Sequence, residues 1–211
     1  MSFRFPARFY PIVDTLQDAR LSHIELARTI LTADAPLLQL RVKGESTGRF
    51  IEIARAVKTL TDEHHALLII NDRPDISGLV DAAGVHLGQE DLPVAAARRV
   101  LGPDKIIGLS THTLEQAEAA ARAGVADYIG FGPIFPTRSK ESPDPVQGTD
   151  GLRQVRSRIT LPIVAIGGIT AATMPAVLAA GADAVAMIGE IVRATDVTAT
   201  VRTLLAASAS S

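Results

Sequence analysis

The stretch PIVAIGGITAATMPAVLAAGADAVAMIG, residues 162–189, decides the fold of this 211-residue chain. Two short apolar runs flank a segment whose apolar residues have helical spacing, and Gly167, Gly168 and Gly181 separate the three parts. Continuous apolar runs of this length are typical of strands that are buried on both faces. The stretch therefore predicts a strand–helix–strand unit, and its Pro and Gly residues argue against a single membrane-spanning helix.

The same unit recurs along the chain. Apolar runs rich in Val, Ile and Leu begin near eight residues: Arg8, Leu37, Leu67, Gly84, Lys105, Asp127, Pro162 and Ala184. Segments with helical periodicity follow most of these runs: residues 24–31, 50–61, 94–100, 114–123, 173–180 and 197–207. Eight such units predict an α/β fold, a single (β/α)₈ TIM barrel over residues 1–211 with a frayed tail at about 206–211. An open doubly wound sheet is the alternative, because periodicity does not show whether a sheet closes.

Composition argues against several function classes. The formal net charge is −2, so the chain as a whole attracts neither nucleic acid nor an anionic membrane. It has no cysteine, and therefore no disulfide and no thiolate metal site. Its first residues lack the apolar core of a signal peptide. We expect a cytoplasmic protein with small-molecule partners and no nucleic-acid or membrane partner, and the sequence leaves a homo-oligomer open.

Cationic residues follow the second apolar run. Gln39, Arg41 and Lys43 alternate with aliphatic residues, which directs the three side chains to one face of an extended chain. In a TIM barrel, the carboxyl ends of the strands carry the active site. Two inward-facing cations are costly unless an anion pairs with them, and Arg binds phosphate through a bidentate fork. We therefore expect a phosphate-like anion beside Arg41 and Lys43.

Carboxylates follow the third and fourth runs, which are neighbours in a barrel. Asp72 and Asp91 stand at these two positions. Two carboxylates with space beside them suit Mg²⁺, which keeps several waters and takes phosphate oxygens as further ligands. The alternative is that both are surface acids, or that Asp91, which precedes Leu92 and Pro93, is a helix N-cap. Spacing alone does not decide between these interpretations.

Glycines follow the last two runs. Gly167 and Gly168 come after the seventh strand, and Ile188 and Gly189 after the eighth. In TIM barrels the loops at these two positions commonly bind a phosphate group through backbone N–H groups, and glycine permits the close approach. Together with the cationic residues, this pattern indicates two anion sites. Two phosphorylated substrates, or one large one, would fill them.

Five motifs carry a resemblance that covers essentially the whole chain: QLRVK (39–43), INDR (70–73), GVHLGQED (84–91), GPIFPTRSK (132–140) and IGGI (166–169). In this order and spacing they resemble the thiamine-phosphate synthase family. The resemblance implies a (β/α)₈ barrel that requires Mg²⁺. It also implies a reaction that joins 4-amino-2-methyl-5-hydroxymethylpyrimidine diphosphate to a thiazole phosphate, releasing thiamine phosphate and diphosphate.

The resemblance also assigns residues. It implies that six residues contact the pyrimidine diphosphate: Gln39, Arg41, Lys43, Asn71, Ser110 and Lys140. Among these, Arg41, Lys43 and Lys140 would stabilise the leaving diphosphate, and Asp72 with Asp91 would bind Mg²⁺. Five residues would hold the thiazole phosphate: Thr137, Ser139, Gly168, Ile188 and Gly189. Two positions depart from the family pattern, because Gly189 stands where a hydroxyl residue is common and Ser139 where Thr is frequent.

Three questions stay open at this stage. The related thiazole tautomerases, which catalyse an isomerisation, and a non-catalytic sensor of a phosphorylated ligand are the alternative functions. His86, in mid-strand, is interpreted as structural, whereas His112 near Ser110 is left open as an acid–base group. Residues 136–148 are long for a loop of this fold and carry assigned ligand residues, so we predict that they form a lid.

Overall fold

The computed structural model describes residues 3–15, 20–137 and 144–209. In these ranges the strands are β1 (Phe9–Val13), β2 (Leu37–Leu40), β3 (Leu67–Asn71), β4 (Gly84–Leu87), β5 (Ile106–Thr111), β6 (Tyr128–Phe131), β7 (Ile163–Ile166) and β8 (Ala184–Met187). The helices are α1 (His23–Leu31), α2 (Thr47–Glu63), α3 (Pro74–Leu79), α4 (Val94–Leu101), α5 (Leu114–Ala123), α6 (Gly148–Arg158), α7 (Met174–Ala179), α8 (Gly189–Val192) and α9 (Val197–Ala209).

The eight strands form one closed barrel in chain order, and every neighbouring pair is parallel. Closure comes from β1 and β8, where Phe9 pairs with Val185 and Pro11 with Met187. The predicted TIM barrel is confirmed, and the open doubly wound sheet is wrong. Each of the eight predicted apolar runs begins within one residue of the start of a strand. The carboxyl ends of the strands therefore meet at one end of the barrel.

Helices cover the outside of the barrel because each carries one apolar face. In α1, Leu26, Ile30 and Leu31 are buried, while a capping box at Ser22 satisfies the first backbone N–H groups. The helix α5 ends at Gly124 in the left-handed conformation, with φ of 63°, which glycine adopts without steric cost. These local signals fix the start of α1 and the end of α5.

Three helices, α3, α6 and α8, were not predicted. The helix α6 buries only Leu152 and Val155, so its apolar period is weak, and α3 and α8 are six and four residues long. The frayed tail was placed too early, since α9 continues to Ala209 and buries Ser208; Ser210 and Ser211 lie outside the described residues. Among the described helices, none has the length and apolarity needed to cross a membrane.

Candidate active site

A cavity of about 590 Å³ opens at the carboxyl ends of the strands. Eight of the predicted site residues line it: Gln39, Arg41, Asn71, Ser110, Thr137, Gly168, Ile188 and Gly189. These residues come from strands and loops around the barrel, and closure of the sheet brings them into one cavity. Lys43, Asp72 and Asp91 form a separate cluster next to Asn71. Ser139 and Lys140 lie outside the described residues, as do all of residues 138–143 of the predicted lid.

Arg41 is held by a buried acid. The strand β2 ends at Leu40, but the backbone N–H of Arg41 still donates to the Val13 carbonyl at 2.9 Å. Its guanidinium forms an ion pair with Asp14, whose side chain is only 3% exposed. Sequence reasoning did not assign Asp14, although a polar residue directly after the first apolar run was a usable signal. One anion beside Arg41 is therefore a carboxylate of the protein, and the phosphate-like anion expected there stays a prediction.

Lys43, Asp72 and Asp91 form a second charged cluster. The Lys43 ammonium donates to Asp72, which has a left-handed backbone with φ of 64°. Asp91 accepts from the Gly88 backbone N–H at 2.6 Å. Burial, with a further contribution from the neighbouring Asp72 carboxylate, raises the pKa of Asp91 above its usual value. Lys43 therefore also has a carboxylate partner.

The two carboxylates fit a hard divalent cation. The side chains of Asp72 and Asp91 lie within hydrogen-bonding reach of each other, and their charges repel when both are ionised. The N-cap alternative for Asp91 is not observed, because Pro93 occupies the cap of α4 and Asp91 instead binds Gly88. Within the described ranges, no three His, Cys, Asp or Glu side chains are grouped closely enough to hold a metal. A cation here would need oxygens from water or substrate.

The glycine end of the cavity is tightly packed. Gly167 and Gly168 have φ of 97° and 63°, a region that favours glycine. A Cβ at Gly168 would lie 2.4 Å from the Pro136 carbonyl oxygen, so the glycine is required by packing of the β6–α6 loop as well. A Gly168→Val variant would therefore disturb folding, and it does not test ligand binding alone.

An arginine lies over the other glycine. A Cβ at Gly189 would be 2.6 Å from the Arg193 Nη2 atom, so the guanidinium occupies the space that a side chain at position 189 would take. Both residues line the cavity. Sequence reasoning missed Arg193, because an exposed arginine just after a four-residue helix gives no periodic signal.

Polar side chains also extend from the cavity into the barrel interior. Nδ1 of His86 lies 3.0 Å from the Tyr128 hydroxyl, and Nε2 lies 2.9 Å from the Ser110 hydroxyl. The Tyr128 hydroxyl is 3.1 Å from that of Tyr10, which accepts from Nε2 of Gln39 at 3.2 Å. Burial raises the pKa of Tyr10 to about 12 and that of Tyr128 well above its usual value. Neither Tyr10 nor Tyr128 was predicted to be a site residue.

His112 stands at the rim of the cavity. Its Nδ1 atom is 2.8 Å from the Gly132 carbonyl oxygen and 3.4 Å from an Asp144 carboxylate oxygen. His86 and His112 both line the cavity. The contacts hold the His112 ring in place, and its role as an acid–base group stays an open question.

A family model described as thiamine monophosphate synthase matches residues 9–191. This chain belongs to the thiamine monophosphate synthase family. A thiamine-phosphate synthase of Methanospirillum hungatei is 42% identical over 193 residues, covering 92% of this chain and 93% of that protein. Another, of Shouchella clausii, is 45% identical over 203 residues and covers 96% of each. The resemblance predicted from the five motifs is confirmed.

Solved structures agree with the family membership. A thiamine phosphate pyrophosphorylase from Pyrococcus furiosus superposes with a TM-score of 0.86 at 35% identity, covering 97% of this chain and 96% of that one. A 3-hexulose-6-phosphate synthase has a TM-score of 0.65 at 19% identity, covering 94% of this chain and 99% of that chain, and shares the fold alone.

Proposed function

We propose that this protein is a thiamine-phosphate synthase. It joins 4-amino-2-methyl-5-hydroxymethylpyrimidine diphosphate to 4-methyl-5-(2-phosphooxyethyl)thiazole, giving thiamine phosphate and diphosphate. The observation that carries the proposal is that one cavity contains two kinds of lining. The cationic and amide residues Arg41, Gln39 and Asn71 line one part, and the glycine loops after β7 and β8 line another. Membership of the family supports the same assignment.

The diphosphate end of the cavity is assigned to the charged residues. Arg41 contributes a guanidinium whose orientation Asp14 fixes, and Lys43 and Lys140 contribute ammonium groups. These cations stabilise the negative charge that develops as diphosphate leaves. Asp72 and Asp91 would hold Mg²⁺, and their close carboxylates fit that role. When bound there, Mg²⁺ supplies further positive charge to the diphosphate oxygens.

The reaction needs charge stabilisation and positioning, and it needs no enzyme nucleophile. The bond between the pyrimidine methylene and the diphosphate oxygen breaks, and its electron pair leaves with diphosphate. The aminopyrimidine ring stabilises the methylene cation. The lone pair of the thiazole nitrogen then forms the new C–N bond, which makes the thiazolium ring of the product. Gln39, Asn71 and Ser110 hold the pyrimidine while this exchange occurs.

The acceptor is held at the glycine end of the cavity. We assign the thiazole phosphate to Gly168, Ile188 and Gly189, with Thr137 and Ser139 as hydroxyl donors. Gly168 lines the cavity and has no side chain, which permits close approach of a phosphate to its backbone. Holding the phosphate there directs the thiazole nitrogen toward the pyrimidine methylene, so the two reactants meet as an intramolecular pair.

Turnover with both purified substrates and Mg²⁺ tests the proposal. We expect equal amounts of thiamine phosphate and diphosphate, measured by chromatography and by a coupled phosphate assay. Isomerisation of a thiazole phosphate without diphosphate release would instead support a tautomerase. Saturable binding of either substrate without any turnover would support a sensor. Either result would contradict the synthase.

A further inference from the structure

Arg193 and Gly189 lie one helical turn apart at the glycine end of the cavity. The backbone N–H of Arg193 donates to the Gly189 carbonyl at 3.3 Å, which closes the short helix α8. Residues four apart on a helix share one face, so the Arg193 side chain lies over Gly189. The described part of the cavity lining holds two arginines, Arg41 and Arg193. The glycine end therefore has a guanidinium of its own.

This guanidinium occupies the space of a side chain at position 189. A Cβ at Gly189 would lie 2.6 Å from Nη2, 2.7 Å from Nη1 and 2.9 Å from Cζ of Arg193, and these are its three nearest atoms. The backbone does not require the glycine, because the φ of Gly189 lies outside the left-handed region, whereas Gly168 has φ of 63°. The missing side chain at position 189 is therefore explained by Arg193, and the two residues form a pair.

The segment that carries Arg193 is anchored by another arginine. Nη2 of Arg20 donates to the Val192 carbonyl at 2.6 Å and to the Ala194 carbonyl at 3.4 Å. These two carbonyls flank Arg193 along the chain, so the bonds fix its backbone. A side chain on a fixed backbone loses less conformational entropy when it binds a ligand.

The charge of Arg193 also offsets a neighbouring acid. Among the described residues that line the cavity from β7 and β8 onward, the charged ones are Glu190 and Arg193. The Glu190 carboxylate accepts from the Ala171 backbone N–H at 3.4 Å, which directs it toward the β7–α7 loop. Without the guanidinium, this part of the cavity would carry a net negative charge, which opposes the binding of an anion.

We propose that Arg193 makes the acceptor site selective for the thiazole phosphate over the corresponding thiazole alcohol. The proposal rests on the proposed function and deepens it, because it concerns the acceptor of that reaction. The planar guanidinium donates two N–H groups to phosphate oxygens, while the backbone of Gly168 and Gly189 approaches the same phosphate. The alcohol carries no anion, so its binding does not depend on Arg193.

Arg193→Ala tests the selectivity with two acceptors. The value of kcat/KM is measured for the thiazole phosphate and for the alcohol, with saturating pyrimidine diphosphate and Mg²⁺. If the alcohol is not coupled, its inhibition constant against the phosphate is measured instead. We expect the variant to lose about tenfold in kcat/KM for the phosphate, through KM, and to treat the alcohol as wild type does. Arg202→Ala is the matched control, since Arg202 is an exposed arginine on α9 that donates to the Thr32 carbonyl, and it should match wild type with both acceptors.

A double-mutant cycle tests the pairing of Arg193 with Gly189. Gly189→Ser places a side chain where the guanidinium lies, so alone it should raise KM for the thiazole phosphate. In the Arg193→Ala background the same substitution should add little, because no guanidinium is left to displace. Two losses that multiply would show that the residues act independently, and would contradict the pairing. Gly189→Ala, which adds the Cβ alone, replaces Gly189→Ser if that variant does not fold.

The outcomes separate this proposal from the synthase assignment. In Arg193→Ala, an unchanged KM for the thiazole phosphate, equal losses with both acceptors, or a raised KM for the pyrimidine diphosphate alone would overturn the role of Arg193. Turnover by wild type would leave the synthase standing in each case.

A wild type without turnover contradicts the synthase, and calorimetry then decides the role of Arg193 separately. About tenfold weaker binding of the thiazole phosphate by Arg193→Ala would support that role, and equal binding would overturn it. If wild type does not bind the thiazole phosphate, both proposals fail.

Discussion

At the scale of single residues, the site depends on charges that are paired before any substrate arrives. Asp14 is 2% exposed and holds Arg41, so its removal leaves a largely buried guanidinium without this carboxylate. Breaking a buried pair from one side is far more costly than breaking one on the surface. Asp14 therefore contributes to folding as well as to the orientation of Arg41.

Asp14→Ala should lower the free energy of unfolding by about 3 kcal/mol, measured by urea denaturation. The control is Glu52→Gln, which breaks the exposed pair with Arg49 on α2 and should cost less than about 1 kcal/mol. Equal losses in the two variants would show that Asp14 is not an important partner of Arg41.

Arg193→Ala should raise KM for the thiazole phosphate about tenfold and leave kcat nearly unchanged, because a charged hydrogen bond of this kind contributes about 1.5 kcal/mol to binding. The reason is the position of its guanidinium over Gly189, at the proposed phosphate end of the cavity. Steady-state kinetics with varied thiazole phosphate measure the effect. Arg153→Ala, an exposed arginine on α6, is the control and should behave as wild type. An unchanged KM in Arg193→Ala would show that the guanidinium does not contact the thiazole phosphate.

At the scale of elements, glycine positions on the strands decide what the barrel interior can hold. Gly108 on β5 faces the rings of Tyr128 and His86 at distances that no Cβ tolerates. A Cβ added at Gly48, in the first turn of α2, would have no neighbouring atom within 4 Å. The same chemical change at these two glycines should therefore have opposite effects.

Gly108→Ala should destabilise the fold by about 1–3 kcal/mol through overpacking, and it should also weaken pyrimidine binding by displacing the rings of Tyr128 and His86. Gly48→Ala should stabilise the fold by about 0.5–1 kcal/mol, because alanine is the better helix former. Urea denaturation of both variants gives the comparison. If Gly108→Ala is neutral, the interior is looser than the distances indicate.

At the scale of the whole molecule, ligands that bind only the closed barrel should stabilise it. The proposed diphosphate site draws on residues from β2 to β5, and Asp72 and Asp91 would extend it beside the cavity. A ligand held by several strands binds the folded state and not the unfolded chain. Its binding free energy then adds to the stability of the fold.

Mg²⁺ with inorganic diphosphate, at about 100 times its dissociation constant, should raise the Tm by about 5 °C, measured by calorimetry. The double variant Asp72→Asn and Asp91→Asn should fold, since Asn at position 91 can still accept from Gly88, but it should lose this increase. Chelation should abolish the increase in wild type. A full increase in the double variant would place the metal elsewhere.

The order of strands and helices could be predicted from the sequence because apolar periodicity is a local property of the chain. The starts of all eight strands and the position of six helices follow from it, and the polar residues after each run indicated which end of the barrel carries the site. The helix α6 was not predicted, because only Leu152 and Val155 face the core. The cavity residues Gln39 and Arg41 were predicted because side chains at strand ends must converge once the barrel closes, whereas Ser110 was assigned from the family resemblance.

The sequence by itself determined the fold and the residues at the strand ends. Only the tertiary structure decided which of them pair. Tyr10 and Tyr128 are 118 positions apart, and their hydroxyls meet because β1 and β6 face each other across the barrel interior. The ion pair of Asp14 with Arg41 likewise depends on the register of β1 against β2. Such contacts arise from closure of the sheet, which no local pattern specifies.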